Sequence, residues 1–222
     1  MLDVLYEDNH LIIINKKSGD IVQGDKTGDK PLGGFVKDYL REKYNKPGNI
    51  FCGVIHRLDR PVSGVVIFAK TSKALARMNE MFRDKTIQKT YWAITEQEPS
   101  NSEGRLEHYL LKNQQKNKSR AFLKPEGKAL KATLDYKLLK NLDRYSLLEA
   151  KPITGRHHQI RVQLASISCI IKGDLKYGAK RSNKDASICL HARQIDFIHP
   201  VNKEAIRIIA PPPKDPLWDA CL

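Results

Sequence analysis

The stretch His56–Gly64, HRLDRPVSG, sets a single carboxylate between two guanidinium groups and follows it with a proline and a glycine. Asp59, bracketed by Arg57 and Arg60, admits two readings. One is an ion pair on a surface turn, a common feature that is worth little. The other is a catalytic carboxylate, kept ionised because nearby cations favour its charged form. A second constellation is TGRHHQIRVQLASI, residues 154–167, in which Arg161 follows His158 by three positions. On a helix those two side chains would lie on neighbouring turns. The cysteines, Cys52, Cys169, Cys189 and Cys221, form no CxxC pair, and no HExxH occurs. Reduced structural thiols are therefore expected, with no metal site and no disulfide framework.

The elements that must position these groups follow from periodicity. LDVLYED and HLIIINK predict two strands joined at Asp8-Asn9. Gly19 to Gly34 reads as a loop. A helix follows, with Phe35, Tyr39, Leu40 and Tyr44 on its apolar stripe and Pro47-Gly48 ending it. GVIHRLD is extended, with Val54, His56 and Leu58 on one face and Arg57 and Asp59 on the other. Leu58 can then enter a core while Arg57 and Asp59 project together. His56 reads as a hydrogen-bonded core histidine and not as a catalyst. GVVIFAK predicts a buried strand. Thr71 or Ser72 caps a helix carrying Leu75, Met78 and Phe82. KTYWAIT is a strand holding Tyr91, and further strands are expected near residues 106–111, 120–123, 129–139 and 145–151. Ile160, Leu164 and Ile167 make one helical stripe, and AIRIIA predicts a late strand. Many strands, few helices and no repeat or linker indicate one α+β domain.

Composition narrows the class. With 222 residues and 41% hydrophobic, the chain can bury a sizeable core, and its longest apolar runs are too short to cross a bilayer. No signal peptide is evident, so a cytoplasmic location is expected. Thirty-nine Lys and Arg against 25 Asp and Glu leave a net charge of +14, which suits a polyanionic partner. Much of the excess lies between Lys112 and Lys140, where only Glu126 and Asp135 oppose eight lysines and Arg120. No basic amphipathic helix carries the charge, which favours nucleic acid over a membrane surface.

Several separated pieces, HRLDRPVSGVVIFAK, KTYWAI, TGRHHQIRVQL, GDLKYG and LHA, stand in the order in which they occur in the RluA-type pseudouridine synthases. VLYEDNHLIIINK and DFIHP resemble that family's two ends, so the likeness covers nearly the whole chain. It implies an isomerase that converts uridine to pseudouridine in transfer or ribosomal RNA, without cofactor or metal. It also implies a single α+β catalytic domain over residues 1–222, with a mixed, largely antiparallel sheet, flanking helices and a central cleft. No separate N-terminal RNA-binding domain is expected, and the default state is a monomer.

By the same resemblance Asp59 is the catalytic aspartate, Arg161 its ion-pair partner and Tyr91 the active-site tyrosine on which the base stacks. Arg57 would fill the gap left by a flipped nucleotide, and Arg60, Arg156 and His158 would contact RNA. Ser63 and Gly64 shape the turn, while Leu190 and His191 line or support the cleft. Lys17 stands where proline is common, Val62 where threonine is frequent, and residues 22–25 lack the usual His-Pro ending. Two other classes compete. One is an RNA-binding protein or chaperone that has lost its chemistry, against which an idle Asp59 would repel phosphate. The other is a metal-dependent nuclease, which would need a second carboxylate near Asp59.

Overall fold

In the computed structural model, which describes residues 2–24 and 28–222, the β-branched runs become strands and the charged stripes become helices. In chain order the first elements are β1 (Val4–Glu7), β2 (Leu11–Lys16), α1 (Leu32–Tyr44), β3 (Gly53–Val54), β4 (Ser63–Ala69) and α2 (Ser72–Arg83). Next come β5 (Gln88–Thr95), β6 (Glu103–Asn113), β7 (Lys118–Phe122), β8 (Leu130–Asn141) and β9 (Ser146–Pro152). Then follow α3 (Gln159–Ser166), a 3-10 turn at Leu175–Tyr177, β10 (Leu190–Ile198), β11 (Ala205–Ile209) and α4 (Pro216–Asp219). The α+β class is as expected. The chain divides into two compact units, one running to Gln88 and including Ala192–Pro212, the other comprising Lys89–His191 and Pro213–Leu222. No helix among the described residues is long and apolar enough to cross a membrane.

In the first unit β2 lies antiparallel between β1 and β4, with Leu11 opposite Ala69 and Lys16 opposite Gly64. Leu11 to Ile14 are all buried, because both faces of this strand are covered and an unbroken apolar run is what such a strand requires. Leu11, Ile13, Val65 and Ile67 pack with Ala74 and Met78 of α2. The Thr71 hydroxyl accepts the Ala74 N–H at 3.1 Å, as the expected cap; such a cap is worth ~1 kcal/mol.

Helix α1 departs from its expected stripe. It starts at Leu32, three residues early, and buries Leu32, Val36 and Leu40, while Phe35 and Tyr44 stay exposed. Lysines explain the difference. Lys30 covers the Phe35 ring, and Lys43, Lys46 and Lys70 surround Tyr44, so these rings pack under cation stems and not in the core. Residues 25–27, including the expected departure at Asp25, lie outside the described residues.

The second unit is built on the antiparallel order β5-β9-β8-β6-β7. Helix α3 lies against one face, where Leu110, Ala132, Val162 and Tyr177 form a small core with Ala121 and Ala165. Side-chain alternation along β6 and β8 puts Leu110 and Ala132 on that face and Tyr109 and Lys131 on the opposite one.

Candidate active site

The HRLD motif lies in the irregular segment between β3 and β4. Alternation works as expected: Leu58 is buried, Arg57 is exposed and Asp59 is partly buried. His56 extends the pairing that β3 begins. Its Nε2 accepts the Ile67 N–H at 3.1 Å, and its ring stacks on Phe82 at 5.0 Å. Acceptance at Nε2 puts the ring proton on Nδ1, which fits the structural role expected of this histidine.

After Asp59 the chain turns at Arg60-Pro61, and Val62 N–H donates to Asp59 O at 3.0 Å. The turn is held from beneath by Lys16, which sequence reasoning missed. Only 1% exposed, Lys16 donates from Nζ to the carbonyls of Lys17 (2.9 Å), Arg60 (3.1 Å) and Val62 (2.7 Å). Burial pulls its pKa down to about 8, against the opposing pull of Asp20 and Asp59. Gly19 N–H and the Ser18 hydroxyl bond to Arg60 O and Pro61 O, so the strand-end segment NKKSG clamps the turn. The only sequence signal was Lys16 at the end of an apolar strand, where a charged residue normally marks exit to solvent.

Gly64 explains the SG that follows. It has φ +112°, and a Cβ there would run into the backbone of Ala192 on β10. Only glycine allows β10 to approach so closely. Of the two arginines in the motif, Arg57 donates to Gln23 Oε1 at 3.2 Å and Arg60 pairs with Asp29 at 2.8 Å. Both are exposed, so each pair is open to competition by a phosphate.

In the second unit Tyr91 lies on β5 opposite Ala150 of β9. Lys89 shares its face by alternation, and burial lowers its pKa. Its Nζ reaches the TGR segment, 3.9 Å from where a Cβ of Gly155 would stand. That segment is fixed by Gln159, whose Oε1 accepts from Thr154 Oγ1 (2.7 Å) and Arg156 N–H (3.0 Å) while its Nε2 donates to Thr133 O (2.9 Å). Arg156 is exposed, and its Nε donates to Lys131 O.

Arg161 is buried on α3, and its Nε and Nη2 donate to the two carboxylate oxygens of Asp174 at 2.7 and 2.8 Å. Within its own unit the carboxylate that holds it is Asp174. The fork engages two of the three guanidinium nitrogens and fixes the plane of the group. Tyr177 packs against the same guanidinium at 5.2 Å. The motif GDLKYG contains both Asp174 and Tyr177, yet nothing in the sequence said that they meet Arg161 on the preceding helix.

His158 also departs from expectation. It precedes α3 with φ +53° and is not part of the helix, so it does not share a helical face with Arg161. It is 8% exposed, and its Nδ1 lies 3.0 Å from the Tyr177 hydroxyl, which in turn accepts the Ser119 N–H. A buried ring in that position braces Tyr177. His191, expected as a support, is fully buried with its ring edge-on to Trp218 of α4.

Residues 10–166 match the RNA pseudouridylate synthase family. The chain is 35% identical over 214 residues to the ribosomal large subunit pseudouridine synthase C of Vibrio vulnificus, a match covering 94% of this chain and 65% of that one. It is 34% identical over 220 residues to an uncharacterised RNA pseudouridine synthase of Bacillus subtilis, covering 96% and 70%. The chain therefore spans just under two thirds of the Vibrio relative's length. Among solved structures, human RNA pseudouridylate synthase domain containing 4 aligns with a TM-score of 0.84 at 24% identity, over 99% of this chain and 92% of that one. For human RNA pseudouridylate synthase domain containing 1 the TM-score is 0.76 at 22% identity, over 100% and 87%. The two human structures share the fold. As the RluA-type motifs implied, the chain belongs to the RNA pseudouridylate synthase family.

Proposed function

We propose that this protein isomerises uridine to pseudouridine within RNA, with Asp59 as its catalytic group. The C1′–N1 glycosidic bond breaks, C1′ bonds to C5, the C5 hydrogen leaves to solvent and N1 takes up a proton, so the product is an isomer and no co-reactant is needed. Asp59 attacks C1′, helps abstract a ribose proton to give a glycal, or adds to the pyrimidine ring; each route requires a carboxylate carried on a rigid backbone. The observation that carries the reading is the Lys16 clamp: three carbonyl bonds from one buried ammonium fix the turn that displays Asp59. So costly a burial is economical where a functional group must be held in place.

In this reading Tyr91 offers the displaced uracil a flat ring, and Arg161 acts as a cation held in plane by Asp174. Arg57, exposed beside Asp59 in sequence, occupies the space vacated by a flipped nucleotide, since the target base must leave its stack at a cost of about a few kcal/mol. Arg60 and Arg156 are phosphate contacts. Relatives named for the large ribosomal subunit support ribosomal over transfer RNA as the target, and the protein would work in the cytoplasm as a monomer.

RNA tritiated at uracil C5 tests the proposal, with the protein as the sole addition. Release of tritium to water is expected, together with its loss in Asp59→Asn at nearly unchanged RNA affinity. Absence of release from every cellular RNA pool would overturn the isomerase reading and favour an RNA-binding protein without chemistry. Pseudouridine mapping in cells with and without the gene then identifies the modified position.

A further inference from the structure

The three strands β6, β7 and β8 around the basic stretch hold a feature that the reaction itself does not use. β6, β7 and β8 present one face to α3 and the other away from it. On the outer face Tyr109 stands opposite Phe122 on one side and Lys131 on the other, and Leu111 stands opposite Arg120. The two rings are neighbours across the β6–β7 ladder and are only partly buried, while Leu111, Arg120 and Lys131 are exposed. The Arg120 guanidinium lies 5.3 Å from the Phe122 centroid. Arg156 reaches the same stretch of β8 through its bond to Lys131 O. Glu107 on this face pairs with Lys131 at 3.1 Å, both groups being more than half exposed, so a phosphate can displace it.

Two adjacent rings flanked by cations have the chemistry of a stacking platform. A duplex hides its base faces, whereas an unpaired strand offers them, and each base stacked on an aromatic ring is separated from its neighbours by phosphates that basic side chains can meet. We propose that the outer face of β6, β7 and β8 binds an unpaired segment of RNA. A nucleobase stacks on the Tyr109–Phe122 pair, and the adjoining phosphates contact Arg120, Lys131 and Arg156. This inference rests on the RNA-modifying reading above and extends it to a second, non-catalytic contact with single-stranded substrate. An acidic peptide would use the cations but leave the rings without a role.

The test is fluorescence anisotropy on the full chain, with a labelled unstructured RNA decamer and the duplex of the same sequence as probes. Phe122→Leu and Tyr109→Leu keep the apolar volume and remove a ring. Each is expected to weaken decamer binding about fivefold or more and to change duplex binding by less than about twofold. Tyr109→Phe keeps the ring and should bind as the wild type does. Arg120→Gln, an exposed substitution that threatens no core, should lower the slope of log K against log salt by about 0.7.

Wild-type affinity for the decamer in both leucine variants would overturn the proposal, as would Tyr109→Phe binding no better than Tyr109→Leu. Displacement of the decamer by poly-glutamate as readily as by unlabelled RNA would also overturn it. Tritium release, measured in parallel, keeps the two readings apart. Ring-dependent binding without any release would sink the isomerase and leave the platform standing; release with ring-independent binding would do the reverse.

Discussion

Replacing Asp174 by leucine removes the carboxylate that holds Arg161 and leaves its guanidinium in a site where the arginine is 5% exposed. Two charge-assisted bonds, at 2.7 and 2.8 Å, disappear together, and water cannot take their place without opening the core around Tyr177. Breaking a buried pair from one side costs about 3–5 kcal/mol, because the surviving charge stays desolvated and has lost the two bonds that offset this. In a chain of this size each kcal/mol lowers the melting temperature by roughly 2–4 °C, so a fall of roughly 6–20 °C is expected. Arg161→Met alone should be similarly harmful, since it strands the Asp174 carboxylate. The double variant removes both charges and should recover most of the lost stability, because apolar replacement of a buried pair is often neutral or favourable. Urea melts of the four proteins form a double-mutant cycle, with a coupling of about 2 kcal/mol or more expected. Tritium release should not return with stability, since Arg161 is still absent. A cost below about 1 kcal/mol for Asp174→Leu, or a double variant as unstable as the sum of the singles, would refute the reasoning.

Lys16 makes stability depend on pH in a definite direction. Its folded pKa is about 8 against the ordinary 10.5, so between these values the unfolded chain keeps a proton that the folded chain has released. Its contribution to stability therefore rises with pH across that window, by about 3 kcal/mol when complete. Lys16→Met lacks this rise, and a wild-type-minus-variant difference that stays flat from pH 8 to pH 10 in urea melts would contradict it. Glu7 acts at the other end of the scale. Burial pushes its carboxyl up, but bonds from Lys43, Lys70 and Tyr44 outweigh that and hold it at about 2. Stability present above its ordinary value of 4.5 is lost as pH falls toward 2, by roughly 1–3 kcal/mol, and Glu7→Gln should abolish that part of the acid sensitivity when melts at pH 3 and pH 6 are compared. Gly64→Ala puts a Cβ into the Ala192 backbone at a φ of +112°, for which a loss of about 3 kcal/mol or more is expected; calorimetry showing a melting temperature within 2 °C of wild type would be inconsistent with that geometry.

Several features were legible before any coordinates. The unbroken run at Leu11–Ile14, the Thr71 cap and the alternation that buries Leu58 while exposing Arg57 all depend on neighbours within a few residues, and period and residue type encode those directly. The ordered motifs around Asp59, Tyr91 and Arg161 carried the family, and the excess of lysine and arginine carried the expectation of a polyanion. Tertiary structure decided the rest. Helix α1 buries Val36 and leaves Phe35 under Lys30, a choice set by the strands it packs on and not by its own apolar spacing. The left-handed turn at His158 puts it on Tyr177 and not on a helical face beside Arg161. Lys16 and Asp174 look in sequence like ordinary surface charges. Each is buried because the carbonyls of Arg60 and Val62, or one guanidinium, arrive from elsewhere in the chain to replace the water it gives up. A charge's burial depends on which partners reach it, and local composition does not record those partners.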